Sequence, residues 1–126
     1  MRSLPRIGVV LSLVLATGCA PQTPESTAEE SDTAMETLTT ALDAWKLGAV
    51  DGLARRDPAI RFDDDDCLAG WHLTGYELET PDIAIQPYEN VRVNLTLRDP
   101  RGNAVERMVG YQVSLTPVPS VLRSEP

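Results

Sequence analysis

The sequence predicts an α+β fold, in which one main N-terminal helix packs on a curved antiparallel sheet of about four strands. Three observations predict it. Apolar residues recur at helical spacing before residue 50, apolar and polar residues alternate over a long stretch after residue 87, and a Pro-x-Gly turn divides that stretch into a hairpin. A helix followed by successive strands is typical of α+β proteins. The 126 residues leave room for one domain.

The first residues are typical of a secretory signal. Arg2 and Arg6 precede an apolar run over 7–16, which is too short to cross a membrane as a helix. The run ends in LATGC at 15–19, and this ending resembles the signal of bacterial lipoproteins, although alanine occupies the place where leucine is commoner. The resemblance implies that residues 1–18 are a signal peptide and that Cys19 is the lipidation site. An ordinary signal peptide cleaved nearby is the alternative.

Residues 19–32 are expected to be a disordered acidic linker on the lipid anchor. After Cys19 this stretch holds two prolines and four acidic residues, with no basic residue and no large apolar one. Such a composition cannot bury enough surface to offset the entropy of ordering. The remaining 33–126 form the predicted domain. Ala20 after the cysteine favours the periplasmic side of the outer membrane, by analogy with enterobacterial sorting.

The charge of the chain limits its partners. The formal net charge is −8, and loss of Arg2 and Arg6 with the signal would take it to −10. Such acidity argues against nucleic acid and anionic membrane surfaces as partners. The membrane, reached through the lipid on Cys19, and an unknown envelope protein are the partners that we expect.

The main helix is expected to begin at a capping box, in which Glu36 follows Thr33 by three residues. Gly48 and Gly52 are expected to end or bend the helix near Leu47. One stripe of the helix carries the apolar positions, which indicates a core-facing side. These positions are Met35, Leu38, Leu42, Trp45 and Ala49.

Four consecutive aspartates, Asp63–Asp66, follow a brief extended segment at 60–62. They are expected to be solvated or to cap the next turn. Weak calcium binding is the alternative, but the alternating ligands, glycine and distant glutamate of a calcium loop are missing. The next residue, Cys67, has no disulfide partner if Cys19 carries lipid, and we expect it to be a small buried apolar residue.

The strands can be predicted to the register. Residues 71–78 read as a strand with a bulge at Gly75. The hairpin over 88–115 turns on Asp99-Pro100-Arg101-Gly102, a three-residue loop that makes paired residue numbers sum to 202, so that Val93 faces Val109. Arg107 interrupts the apolar face, where we expect its side chain to reach water. The prolines at 117 and 119 restrict a last strand, 118–123, to a sheet edge.

No motif of a catalytic or cofactor site is present. His72 is the single histidine, so histidine-based metal sites and triads have little to build on. Asn94-Leu95-Thr96 fits a glycosylation acceptor, but it lies inside a predicted strand and is taken as chance. We therefore predict no catalytic residue, no metal and no cofactor.

The order of a helix and then an antiparallel sheet resembles the cystatin-like and nuclear-transport-factor-like roll, a helix lying across a curved sheet. Several short motifs occur over 38–123: Trp45-Lys46-x-Gly48, Asp63–Asp66, Gly70 with Tyr76-Glu77-Leu78, Asp99-Pro100-x-Gly102, Tyr111-x-Val113 and Pro119-x-Val121-Leu122-Arg123. Together they are similar to small planctomycete lipoproteins, a family that implies no activity. Cys67 departs from that pattern, which has a tryptophan there.

The function expected from these observations is that of a non-catalytic, lipid-anchored accessory or binding domain of the cell envelope. One alternative is a small isomerase-like or dehydratase-like enzyme, which would need a carboxylate or histidine in a pocket between helix and sheet. The other is an inhibitor-like module that presents its hairpin tip or sheet edge.

Overall fold

The computed structural model describes residues 28–81 and 84–124, and the signal peptide and Cys19 lie outside them. One main helix packs on the concave side of a curled, five-stranded, half-barrel sheet, which confirms the predicted α+β class. The elements are α1 (Ala28–Lys46), a 3₁₀ helix (Val50–Arg55), β1 (Arg61–Asp63), α2 (Asp65–Leu68), β2 (His72–Leu78), β3 (Asn90–Arg98), β4 (Ala104–Ser114) and β5 (Ser120–Ser124). The sheet has the strand order β1-β5-β4-β3-β2.

The helix α1 spans Ala28–Lys46, so the predicted boundary between linker and domain at residue 33 is wrong for residues 28–32. Thr33 does not cap the helix; its hydroxyl donates to the Glu29 carbonyl one turn earlier. The earlier start has two physical causes. Glu29 and Glu30 are favourable beside the positive end of the helix dipole, and Ser31 is buried against the domain.

The other end of α1 lies where it was expected. Gly48 adopts a φ of 69°, which a side chain disfavours, and its amide bonds to the Trp45 carbonyl. The Ala49 amide bonds to the Ala44 carbonyl at 2.8 Å, which completes a Schellman ending. Ala49 is therefore exposed beyond the helix, although the apolar spacing had assigned it to the core stripe.

The hairpin of β3 and β4 has the predicted register. Val93 pairs with Val109 and Val91 with Tyr111. At the tip the Asp99 amide bonds to the Asn103 carbonyl, and Gly102 has a φ of 92°. The pairing of β2 with β3 shifts between Leu73 and Gly75, which confirms the bulge.

The expectation that the last strand lies at a sheet edge is wrong. β5 does not lie at a sheet edge: it pairs antiparallel with β4 and parallel with β1, so the sheet has five strands and is mixed. The prolines do not prevent this, because both precede the first residue of β5. The carbonyl of Pro119 even accepts a hydrogen bond from the Arg61 amide at 2.9 Å.

The core lies between α1 and the concave face. Leu38, Leu42 and Trp45 of the helix pack with the odd-numbered face of the hairpin. The Trp45 and Phe62 ring centroids are 5.9 Å apart, and those of Phe62 and Tyr111 are 6.3 Å apart. Three aromatic rings therefore fill one continuous part of the space between helix and sheet.

Candidate functional site

The densest group of charged side chains in the described chain is a buried cluster, which we call the Asp–Arg cluster. It joins the aspartate run to the concave face of β4 and β5. Its members are Asp64, Asp66, Arg107, Tyr111 and Arg123.

The backbone places Asp64 at the centre of the Asp–Arg cluster. Asp64 is the N-cap of α2, and its Oδ1 accepts hydrogen bonds from the amides of Asp66 at 2.8 Å and Cys67 at 3.0 Å. The capping role expected for the aspartate run is thus confirmed at this position. The other expectation, solvation, is wrong for Asp64 and Asp66, which are both buried.

Two arginines from the sheet neutralise the two buried carboxylates. Arg123 Nη1 lies 3.2 Å from Asp64 Oδ1 and 2.7 Å from Asp66 Oδ2. Arg107 Nη1 donates to both oxygens of Asp66, at 3.0 Å each. Arg107 therefore binds a buried partner, while 39% of its side chain remains exposed and reaches water as expected. Burial lowers the pKa of Arg123, but the hydrogen bond to Asp66 and the charges of both aspartates outweigh that effect and raise it.

The hydroxyl of Tyr111 donates a hydrogen bond to Asp64 Oδ2 at 2.5 Å. Burial, followed by the negative charge of Asp64, raises the pKa of Tyr111 well above its usual range, so the phenol stays a donor. Each oxygen of Asp64 thus has a donor from the protein itself. This arrangement suits a structural anion rather than a general acid or base, which needs an oxygen within reach of a substrate.

Trp71 extends these contacts to the surface. The guanidinium of Arg107 lies 4.9 Å from the centroid of the Trp71 ring, within the range of a cation–π contact. The Trp71 carbonyl accepts a hydrogen bond from Trp45 Nε1 at 2.9 Å. Through these two contacts, the segment from α2 to β2 is bound to both the sheet and α1.

The remaining residues considered from sequence do not join the cluster. Cys19 lies outside the described residues, His72 is exposed at the start of β2, and Asn94 lies on the convex face of β3. Cys67 is only half-buried, and burial together with the charges of Asp64 and Asp51 raises its pKa to about 11. A thiol with so high a pKa is a poor nucleophile at neutral pH.

Within residues 28–81 and 84–124, no group of three or more metal-binding side chains could hold an ion. No helix in that part of the chain is long and apolar enough to cross a membrane.

Comparisons with protein-family models, with curated proteins and with solved structures found no match for this chain. The resemblance to small planctomycete lipoproteins therefore stays a prediction.

Proposed function

We propose that this chain is a lipid-anchored accessory or binding domain of the cell envelope, without catalytic activity of its own. The observation that carries the proposal is the N-terminal pattern: two arginines, a short apolar run and the ending LATGC at 15–19. Cys19 would receive the lipid, and the folded domain would begin only a few residues later, at α1.

The packing of the domain supports a binding role over a catalytic one. A roll-shaped enzyme keeps its substrate between helix and sheet, and here Trp45, Phe62 and Tyr111 occupy part of that space. Asp64 and Asp66 are the buried acids in the described chain that such an enzyme could use. The oxygens of Asp64 accept bonds from two amides, Arg123 and Tyr111, and those of Asp66 accept bonds from Arg107 and Arg123. The domain would therefore act through its surface, and its protein partner would come from the same compartment.

The substitution Cys19→Ser tests the anchor. We expect the wild-type chain to incorporate radiolabelled palmitate and to fractionate with membranes, and the variant to lose the label and to appear in the soluble fraction. Ala20→Ser, which leaves the cysteine in place, is the matched control and should keep both. If neither the wild type nor Cys19→Ser carries labelled lipid and both fractionate alike, the proposal is wrong.

A further inference from the structure

Four large apolar side chains are exposed in the described part of the chain. Leu47 follows the end of α1 and Leu68 lies in α2, with 80% and 75% of their surface exposed. Tyr88 and Val118, at 57% and 46%, lie in the loops before β3 and β5. The Tyr88 hydroxyl contacts the Thr116 carbonyl at 3.2 Å, which brings these two loops together. We call Tyr88, Pro117 and Val118 the loop patch.

The aromatic member of the loop patch is held in an unfavourable backbone conformation. Tyr88 has a φ of 70°, a region that a bulky residue other than glycine rarely adopts. Its amide bonds to the Val113 carbonyl at 2.9 Å, and its hydroxyl is bonded to Thr116. The fold thus fixes the ring in an outward position, and such strain is concentrated at functional surfaces.

The loop patch lies near the N-terminal half of α1. Pro119, the neighbour of Val118, lines one groove together with Thr33 and Thr37. Leu47 lies beyond the far end of this 19-residue helix, about 28 Å from its start at 1.5 Å per residue. The loop patch and Leu47 therefore lie at opposite ends of α1.

A lipid on Cys19 would bring a membrane within reach of the loop patch. The chain between Cys19 and Ala28 can span at most about 30 Å even when fully extended, so a lipid on Cys19 would keep the start of α1 within that distance of the membrane. The loop patch lies at the end of α1 to which this chain is attached, whereas Leu47 lies at the other end.

We propose that the loop patch contacts the headgroup region of the membrane in which Cys19 is anchored, which orients the domain with the end of α1 and Leu47 away from the lipid. The inference rests on the proposed anchor. A tyrosine with its ring exposed and its hydroxyl bonded suits the boundary between water and lipid. Glu89 and the first turn of α1 make this side acidic, so the surface it fits is zwitterionic lipid rather than anionic lipid.

The test uses the full lipidated chain on vesicles of phosphatidylcholine and phosphatidylethanolamine. In a Cys67→Ser background, a fluorophore is attached at Val118→Cys or, as the matched control, at Leu47→Cys. Lipids with a nitroxide on the headgroup then quench the label. We expect quenching at 118 to exceed that at 47 by at least about twofold, because nitroxide quenching acts over a distance much shorter than α1. Adding Tyr88→Asp to the 118 reporter should remove most of that difference, while Tyr88→Phe should keep it.

The two possible failures are distinguishable. Equal quenching at 118 and 47 on a chain that floats with the vesicles overturns the orientation but leaves the anchor intact. A chain that stays in solution, with the Cys19 thiol free to react with the fluorophore, overturns the anchor and this inference with it. Circular dichroism of each variant shows whether Tyr88→Asp still folds, and the Leu47 reporter gives the reference signal in that background.

Discussion

Asp64 is a charged side chain in the interior, and its neighbours explain why it can stay there. Removing a carboxylate from water is costly unless donors and an opposite charge replace the solvent. Asp64 receives two backbone amides, the Tyr111 hydroxyl and the Arg123 guanidinium. A pair of this kind is weak evidence for net stabilisation, but the loss of Asp64 removes one of the two carboxylates that compensate the buried charge of Arg123.

Substitutions at Asp64 should therefore be severe. We expect Asp64→Asn to lower the free energy of unfolding by about 2–3 kcal/mol, because Arg123 is largely buried and loses one carboxylate but keeps Asp66. Asp64→Ala should cost about 1 kcal/mol more, since asparagine can still cap α2 and alanine cannot. Asp65→Asn, at the exposed neighbouring position, is the control and should change stability by no more than about 0.5 kcal/mol. Equal urea midpoints for Asp64→Asn and Asp65→Asn would contradict the importance of the cluster.

Cys67 gives the domain a dependence on alkaline pH. Burial first, and then the charges of Asp64 and Asp51, raise its pKa from 9.0 to about 11 in the folded state. The unfolded chain releases the thiol proton near pH 9 while the folded chain keeps it. This contribution to stability is therefore complete below pH 9 and is lost as the pH rises towards 11.

Denaturant melts between pH 8 and 11 check this dependence. The wild type should lose stability above pH 9, and Cys67→Ser should show a shallower loss between pH 9 and 10. Above pH 10 the stability of both proteins should decline further, because burial and the hydrogen bond to Asp43 raise the pKa of Tyr76 from 10.0 to about 12. Identical slopes for the two proteins below pH 10 would show that the Cys67 thiol ionises as readily in the folded chain as in the unfolded one.

At the scale of the elements, the position of α1 on the hairpin decides which substitutions matter. Trp45 lies on the buried side of α1, in one core with the odd-numbered hairpin residues, and bonds the Trp71 carbonyl. Asn94 lies on the opposite face of β3 and pairs with Met108. We expect Trp45→Ala to cost about 3–5 kcal/mol, out of the roughly 5–15 kcal/mol typical of a domain. Asn94→Ala should stay within about 0.5 kcal/mol.

Urea or guanidinium melts of the two variants give the comparison. Damage by Asn94→Ala as large as that by Trp45→Ala would mean that something covers the convex face in solution. That result would locate a second subunit or a partner on the outer surface of the sheet.

The elements that could be predicted are those whose signal is local. The alternation of valines and the turn at Asp99–Gly102 independently favour one register, and the structure has that register. The start of α1 was missed because residues 28–32 are small or acidic and look like linker, although Ser31 packs against the domain. The interior place of β5 was missed because its second neighbour, β1, has only three residues and pairs across a long separation in sequence.

At the scale of the whole molecule, the Asp–Arg cluster joins parts of the chain that no local pattern connects. Asp64 and Arg123 are 59 residues apart, and Asp66 and Arg107 are 41 apart. Four adjacent aspartates repel one another in the unfolded chain, so composition alone favours solvation. The sequence does contain one sign of the cluster: it has an excess of carboxylates, and arginines occupy positions on the apolar faces of strands. Only the tertiary structure shows which carboxylate pairs with which arginine.

The same cluster leads to a prediction about cations. A formal net charge of −8 attracts cations to the surface, and the aspartate run is the place where calcium binding would be sought first. Within the described residues, however, the Asp64 and Asp66 oxygens already accept hydrogen bonds from arginines. Specific binding to the folded state would stabilise it by RT ln(1 + [L]/Kd). No coordination shell is available there without breaking those ion pairs. Millimolar calcium should therefore raise the thermal midpoint by no more than about 2 °C, and magnesium at equal ionic strength should do the same.

A rise of many degrees with calcium alone would show that the ion displaces Arg107 or Arg123 from the aspartates, and Asp66→Asn should then abolish the rise.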